Sequence, residues 1–176
     1  MRLMSFKQSN GFSLLELTVS LGVLGVALMF AFPNFQDTIT GQRLTTQTND
    51  TLAAILFAKS EALKRRTTVS VCAMKTGVEN QCGTNSVEWA NGWIVFNDLN
   101  GDGVVGVDDE ILKYRADYKK TTSAGAITGF VFDGEGIADT SGDIEFCYES
   151  ANGNKMRRIS MTPAGQPSIT AHATCT

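Results

Sequence analysis

Hydrophobic and polar positions divide the chain into three stretches. The first is a run of 20 uncharged and mostly apolar residues from Leu17 to Gln36, close to the ~20 residues that a helix needs to cross a bilayer. From Asp37 to about Arg66, apolar residues recur at spacings of three and four, which is typical of an amphipathic helix that packs against a sheet. The expected apolar stripe consists of Leu52, Ile55, Leu56, Ala58, Ala62 and Leu63.

The third stretch, from Thr67 onward, consists of short runs rich in β-branched and aromatic residues, separated by Gly, Asn and Asp clusters. Such runs are typical of strands. They read TVSVCAM, GWIVFND, EILKY, ITGFVFD, IEFCYES and RRISMTP. Together the three stretches predict an α+β fold, in which a long amino-terminal helix packs on an antiparallel β-sheet of six or seven strands.

Composition agrees with one domain that carries an appendage. The chain has 176 residues, of which 19% are charged and 43% are hydrophobic, and these values exclude a disordered polyampholyte and a polytopic membrane protein. The net charge of -3 argues against a generally basic nucleic-acid-binding protein. A local basic patch is still compatible with this net charge.

The order of features at the amino terminus differs from that of an ordinary secretory signal. Arg2 and Lys7 make the first ten residues basic, but the small residue Gly11 precedes the apolar stretch, whereas a secretory signal has its cleavage site after that stretch. Cleavage at Gly11 would leave the apolar helix on the mature protein. Glu16 lies inside this helix, where a carboxylate costs ~2.5 kcal/mol or more on membrane insertion and therefore indicates a function or a partner.

The string GFSLLELTVSLGVLGVALMFAFP resembles the class III signal of type IV prepilins and type II secretion pseudopilins. The resemblance implies that a prepilin peptidase of the inner membrane cleaves between Gly11 and Phe12 and methylates the new amino terminus at Phe12. It also implies that Glu16 neutralises the terminal amine of a neighbouring subunit in the assembled filament. Pro33 matches a proline that kinks the helix in many pilins, since proline removes one helical hydrogen bond. A plain single-span anchor or an uncleaved signal is the alternative.

The resemblance implies a type IV pilin-like fold with four segments. These are a cleaved leader (1–11), a transmembrane and filament-core helix (12–36), an amphipathic helix (37–66) and a β-rich domain (67–176). Removal of the leader leaves 176 - 11 = 165 residues, with a net charge of -3 - 2 = -5. The expected location is the inner membrane, with a periplasmic domain before assembly, and then the pilus or pseudopilus.

The chain contains four cysteines, Cys72, Cys82, Cys147 and Cys175, without a CxxC pair. The single histidine, His172, is a poor start for a zinc site. Export of the domain would place the cysteines in an oxidising compartment, where disulfides persist. Four cysteines allow three connectivities, of which we favour Cys72 with Cys82 and Cys147 with Cys175. Free buried thiols are the alternative.

The segment DLNGDGVVGVDD suggests calcium binding. Asp98, Asn100, Asp102 and Asp109 occupy the first, third, fifth and twelfth places of a twelve-residue calcium loop, and oxygen ligands at such alternating places suit Ca²⁺. The flanking runs read as strands rather than as the helices of an EF-hand, so a plain hairpin loop rich in turn-forming residues is the alternative. No cofactor is otherwise required, and calcium is the one ion that the sequence suggests.

No pattern in the chain predicts catalysis. It has no GxSxG, no nucleotide-binding glycine loop and no recognisable triad. The single histidine is interpreted as an exposed strand or tail residue. We therefore do not expect an enzyme.

Two strings in the β-rich part, EWANGWIVFNDLNGDG and RRISMTPAGQPSITAHATC, resemble the GspH/FimT/FimU group. This resemblance implies a minor pilin that primes or caps a type IV pilus with other minor pilins and the major pilin, in support of pilus biogenesis, twitching motility or DNA uptake. A GspH-type minor pseudopilin of type II secretion is the first alternative.

A minor pilin that binds DNA during transformation is the second alternative. Some FimT proteins bind DNA through a basic GRxR motif near the carboxyl terminus, but the matching residues here, Gly165 to Ser168, contain no arginine. A small patch of Lys155, Arg157 and Arg158 could still contact phosphates.

Overall fold

A computed structural model of the protein describes residues 12–116, 118, 121–148, 155–172 and 175, without the side chains at 30–37 and 172. Contacts divide the chain into two compact units, Met1–Thr38 and Ile39–Thr176. The elements in chain order are α1 (Leu14–Arg65), β1 (Val69–Ala73), a short 3₁₀-helix (Ser86–Ala90), β2 (Gly92–Asn97), β3 (Glu110–Ala116), β4 (Thr122–Gly125), β5 (Gly129–Phe132), β6 (Gly142–Tyr148), β7 (Lys155–Met161) and β8 (Pro167–His172).

Helix α1 ends one residue before the predicted limit. Arg66 has a φ of 55°, in the left-handed region that closes many helices, and its N–H donates to the carbonyl oxygen of Ala62 at 2.8 Å. Just before this end, Glu61 pairs with Lys64 at 3.1 Å and with Arg65 at 2.8 Å. These cations also lie at the negative end of the helix dipole, which stabilises positive charge.

The strands of the described residues form two four-stranded antiparallel sheets, so the prediction of one sheet was wrong. The first sheet has the order β3-β2-β1-β5 and the second has the order β4-β6-β7-β8. Neither β4 nor β8 has a counterpart among the predicted runs. β4 reads TSAG and β8 reads PSITAH. The small residues of β4 and the leading proline of β8 are not typical of strands.

The main hydrophobic core lies where one side of α1 packs on both sheets. Ile55, Ala58 and Ala62 are fully buried in one cluster with Phe130 of the first sheet and Phe146 of the second. The small alanine side chains let the helix backbone approach the sheets closely, so that the interior is densely packed. This confirms the predicted packing of a long helix on antiparallel β-structure.

Two members of the predicted apolar stripe do not belong to this core. Leu56 and Leu63 are 47% and 48% exposed, and Leu52 is only partly buried. Leu56 and Leu63 each follow a buried residue, Ile55 or Ala62, by one position. One helical step turns the side chain by about 100°, which carries it away from the core.

The Thr-rich part of α1 is buried through polar contacts. Gln47 is 1% exposed; its Nε2 donates to the carbonyl oxygen of Trp89 at 3.4 Å, and its Oε1 accepts a hydrogen bond from Thr121. Thr48 is also buried and donates to the carbonyl oxygen of Leu44 at 2.8 Å. Buried polar side chains are tolerated when they are hydrogen-bonded. The Thr-rich part of α1 can therefore pack against the sheets although its residues are poor helix formers.

Candidate assembly and processing site

The predicted processing site lies at the start of the described chain. Gly11 falls outside the described residues, and Phe12, directly after it, is 78% exposed. Glu16 lies in the first turn of α1, where the positive end of the helix dipole stabilises a carboxylate. Its side chain is exposed, so a charged group of another molecule could reach it.

Large apolar side chains are exposed along the described part of the first unit. Eleven of them, from Phe12 to Met29, are each at least 54% exposed. A helix that is apolar on all sides is stable only when lipid or other protein surrounds it. The eleven side chains are Phe12, Leu14, Leu15, Leu17, Val19, Leu21, Val23, Leu24, Val26, Leu28 and Met29.

The membrane helix over 12–36 and the kink at Pro33 stay predictions. Helix α1 continues through position 33, but the side chain of Pro33 lies outside the described residues. Among the residues that the structure describes, no helix reaches the length and hydropathy of a membrane-crossing candidate.

Two disulfides join the four cysteines in the pairing that we favoured. Cys72 of β1 is bonded to Cys82 with a Cα···Cα distance of 5.6 Å, and Cys147 of β6 is bonded to Cys175 with a distance of 5.9 Å. Cys72 belongs to a second, smaller core cluster with Ile94. The first disulfide therefore holds the segment after β1 over the side of the first sheet that faces away from α1.

The acidic loop after β2 is closed by its own hydrogen bonds, and the calcium site expected there stays a prediction. Asp98 is 1% exposed, and its carboxylate accepts hydrogen bonds from Ser70 Oγ at 2.6 Å, Gly101 N at 2.7 Å and Gly103 N at 2.8 Å. Internal donors thus use much of the acceptor capacity of this carboxylate. Within the described ranges, no group of three or more His, Cys, Asp or Glu residues is placed to hold a metal ion.

The other proposed ligands are used in the same way. Asp109 accepts from Leu99 N at 3.0 Å and from Gly106 N at 2.8 Å. Asp102 accepts from Asn100 Nδ2 at 2.8 Å. The segment therefore forms a tight loop that is held together by its own Asp and Asn side chains.

Glu88, in the 3₁₀-helix, organises a second loop and was not singled out from the sequence. One carboxylate oxygen accepts from Thr76 N at 2.9 Å, and the other accepts from Thr84 N at 2.8 Å and from Asn85 N at 3.1 Å. Burial alone would raise the pKa of Glu88, but these backbone donors outweigh it and lower the pKa below the ordinary value of 4.5. The Asn-x-x-Glu spacing, typical of a capping box, was the available signal.

The three basic residues of the predicted DNA patch do not share one surface. Residues alternate between the two sides of a strand, so in β7 Lys155 and Arg157 lie on one side and Arg158 on the other. Arg158 Nε donates to Glu145 Oε1 on the neighbouring strand at 2.8 Å. The patch is therefore divided, and one of its cations is already paired with a carboxylate.

Cations and aromatic rings meet instead beside β3. Lys113 Nζ lies 5.6 Å from the ring centre of Phe57 and 5.9 Å from that of Trp93, and the Arg115 guanidinium lies 5.7 Å from the ring of Tyr118. Such contacts are attractive because the face of an aromatic ring is electronegative. Burial raises the pKa of Tyr118 to about 12, so its hydroxyl stays protonated. The cluster attaches β3 to α1.

Comparison with known proteins identifies the family. The family model for the type II transport protein GspH matches residues 47–165. The protein belongs to the GspH family. No curated protein matches the chain. The match begins in the buried Thr-rich part of α1 and ends just before β8, and the apolar segment from Phe12 to Met29 precedes it.

Two crystal structures of the type IV minor pilin FimU of Pseudomonas aeruginosa strain PAO1 have the same fold. One is 18% identical, covers 78% of this chain and 98% of its own, and gives a TM-score of 0.57. The other is 19% identical, covers 76% and 100%, and gives a TM-score of 0.53. This confirms the predicted pilin-like fold of a long helix packed on antiparallel sheets. Family and fold are those of structural proteins rather than enzymes.

Proposed function

We propose that the protein is a minor pilin of a type IV pilus, of the FimU/FimT type, which primes or caps assembly with other minor pilins and the major pilin. The observation that supports this most directly is the exposed apolar segment from Phe12 to Met29, joined to a GspH-family domain. The segment suits a membrane before assembly and a filament core afterwards, since both surround a helix with apolar groups.

The physical basis of assembly would be burial of this segment. Exposing each large apolar side chain to water would cost roughly 1.5–3 kcal/mol. A helix that leaves the lipid would therefore need the apolar helices of neighbouring subunits around it. Glu16 would be the polar group that sets the register, because a buried carboxylate needs a charged partner. Its partner in this proposal is the terminal amine of a neighbouring subunit, after cleavage and methylation at Phe12.

A minor pseudopilin of type II secretion is the second candidate. It is favoured by one observation, the match of residues 47–165 to the family described as type II transport protein GspH. The two candidates share the same helix chemistry and differ in the filament that the domain enters. Only an assay of the filament itself separates them.

The test uses a strain that lacks the chromosomal copy and carries the chain on a plasmid. The pilus proposal expects loss of surface pili and of twitching in the deletion strain, with normal export of secreted enzymes. Wild-type chain and the exposed-site variant Glu79→Leu should restore pili. Glu16→Leu should be processed but restore few or none, because the amine of the neighbour loses its carboxylate partner.

Loss of enzyme export with normal pili would favour the pseudopilin instead. Full activity of Glu16→Leu in both assays would contradict the assembly role of this carboxylate. Processing is checked separately by mass spectrometry of the membrane-extracted protein. The proposal expects a chain of 165 residues that begins at Phe12 and carries one additional methyl group.

A further inference from the structure

The apolar segment from Phe12 to Met29 contains four polar side chains, and three of them lie along one side of the helix. Ser13, Glu16 and Ser20 are separated by three and four positions, the spacings that bring side chains to the same side of an α-helix. Thr18 follows Glu16 by two positions, which is about 200° around the helix axis. The polar atoms that a partner could meet are therefore concentrated on the side of Glu16.

The hydroxyl of Ser20 gives its proton to the helix backbone. Ser20 Oγ donates to the carbonyl oxygen of Glu16 at 2.7 Å. A serine hydroxyl has one proton and two lone pairs, so this bond uses the only proton and leaves lone pairs free. Because Ser20 is exposed, its hydroxyl presents an acceptor, and no donor, to another molecule.

The carboxylate of Glu16, one helical turn before Ser20, is the same kind of group. An ionised carboxylate only accepts hydrogen bonds, and side chains four positions apart on a helix have Cβ atoms about 5–6 Å apart. A nitrogen atom between the two side chains can lie about 3 Å from an oxygen of each, the length of an ordinary N–H···O bond. The pair therefore suits a positively charged group that carries two N–H donors.

We propose that Ser20 is a second acceptor for the ammonium group that Glu16 binds. The inference rests on the proposed function, in which that group is the methylated terminal amine of a neighbouring subunit. A protonated N-methyl amine has two N–H donors, of which one binds the carboxylate of Glu16 and the other binds Ser20 Oγ. Ser20 is thus a positioning and specificity residue beside the carboxylate.

The carboxylate of Glu16 does not serve both donors equally well. Two oxygens of one carboxylate match two parallel N–H bonds, as in a guanidinium group, whereas the two N–H bonds of a tetrahedral ammonium diverge. In apolar surroundings a charged N–H without an acceptor costs free energy. An acceptor one turn along the same side of the helix removes that cost.

Thr18 provides a comparison within the same segment. Its hydroxyl also donates to the backbone, to the carbonyl oxygen of Leu15 at 2.9 Å, so it too presents only lone pairs. It lies on the opposite side of the helix from Glu16, where an ammonium group bound to that carboxylate does not reach it. Thr18 and Ser20 therefore share their chemistry and differ in position.

Binding of small ammonium probes to the full chain in zwitterionic detergent micelles tests the proposal. The probes are dodecylamines with one, two or three methyl groups on the charged nitrogen, which carry two, one and no N–H donors. Binding is followed by NMR through the side-chain carboxyl carbon of Glu16 in glutamate-labelled chains, and Glu16→Gln identifies this signal by its absence. The measurement needs no filament.

Wild type should bind the monomethyl probe most tightly. Ser20→Ala should raise the Kd of this probe by about threefold to tenfold and leave the Kd of the other two unchanged, since they have no N–H donor left for Ser20. Ser20→Thr keeps a hydroxyl that can donate to the same carbonyl oxygen and should match wild type. Thr18→Ala is the matched control and should match wild type with all three probes.

Three results overturn the proposal. The first is a wild-type chain in which no probe changes the signal of Glu16, and the second is a Ser20→Ala chain that binds the monomethyl probe as wild type does. The third is an equal loss for all three probes in Ser20→Ala, which would mean that the serine acts on the helix rather than on the ammonium group. A wild-type chain that restores neither pili nor enzyme export would instead contradict the proposed function and leave the probe result intact.

Discussion

At the scale of single residues, the buried carboxylate of Glu88 gives the sharpest prediction. Its two oxygens accept hydrogen bonds from the backbone of Thr76, Thr84 and Asn85. Glu88→Gln replaces one acceptor oxygen by a donor, so at least one of these N–H groups loses its partner. We expect the free energy of unfolding at pH 7 to fall by about 1–3 kcal/mol, measured by urea denaturation.

The pH dependence of this effect follows from the lowered pKa of Glu88. The folded state favours the ionised form, so the stabilisation is fully present above the unfolded value of about 4.5 and is lost as the pH falls through the lower folded value. Wild type and Glu88→Gln should therefore converge in acid. The exposed Glu79→Gln serves as control and should match wild type at neutral pH. A constant difference from pH 7 to pH 2 would contradict the assignment.

At the scale of elements, Lys59 connects α1 to the turn between β7 and β8. Its Nζ donates to the carbonyl oxygens of Gly165 at 2.9 Å and Ala164 at 3.4 Å. A charged donor to a partly buried carbonyl is worth more than a neutral one. Lys59→Met, which keeps the apolar stem, should lower the free energy of unfolding by about 1–2 kcal/mol.

Lys64→Met in the same helix is the matched comparison. Lys64 is paired with Glu61, but 73% of its side chain is exposed, and such surface pairs contribute about 0–1 kcal/mol. Thermal unfolding should show a larger loss of stability for Lys59→Met than for Lys64→Met. Equal losses in the two would mean that the contact of Lys59 with the turn adds nothing beyond a surface charge.

Strands were predictable from the sequence where their own side chains form a hydrophobic pattern. β2 reads GWIVFN and is buried along most of its length, so hydrophobicity reveals it. β4 reads TSAG, and it is a strand because its backbone pairs with β6 and because Ser123 binds the 3₁₀-helix. Tertiary pairing of this kind overrides local propensity and leaves no local signal in the sequence.

The candidate sites also divide into features that local spacing reveals and features that depend on the tertiary fold. The processing motif at Phe12 and Glu16 rests on spacing in the chain itself, and it stays a prediction. The grouping of Asp98 with Asp102 also came from spacing, which did not reveal that Ser70 and backbone N–H groups donate hydrogen bonds to the carboxylate of Asp98. Which donors surround a carboxylate depends on residues that are remote in the chain, and spacing does not contain that information.

At the scale of the whole molecule, the division at residue 38 predicts that the second unit folds by itself. Buried residues of this unit begin at Thr40, and both disulfides lie within it. A chain that starts at Ile39 and is secreted to an oxidising compartment should unfold in one transition. Its midpoint should lie within about 3 °C of the transition of the full chain in detergent, a shift that corresponds to ~1 kcal/mol.

A chain that starts at Thr51 tests whether the Thr-rich part of α1 belongs to this folding unit. It lacks Leu44 and Gln47, which are 2% and 1% exposed, and loss of one buried leucine side chain alone costs about 2–5 kcal/mol. We expect its midpoint to fall by at least about 5 °C while both disulfides still form. Differential scanning calorimetry of the two chains decides the matter. Equal midpoints would mean that the helix is only an attachment to the sheets, whereas a large difference would make residues 39–50 part of the folded core of the second unit.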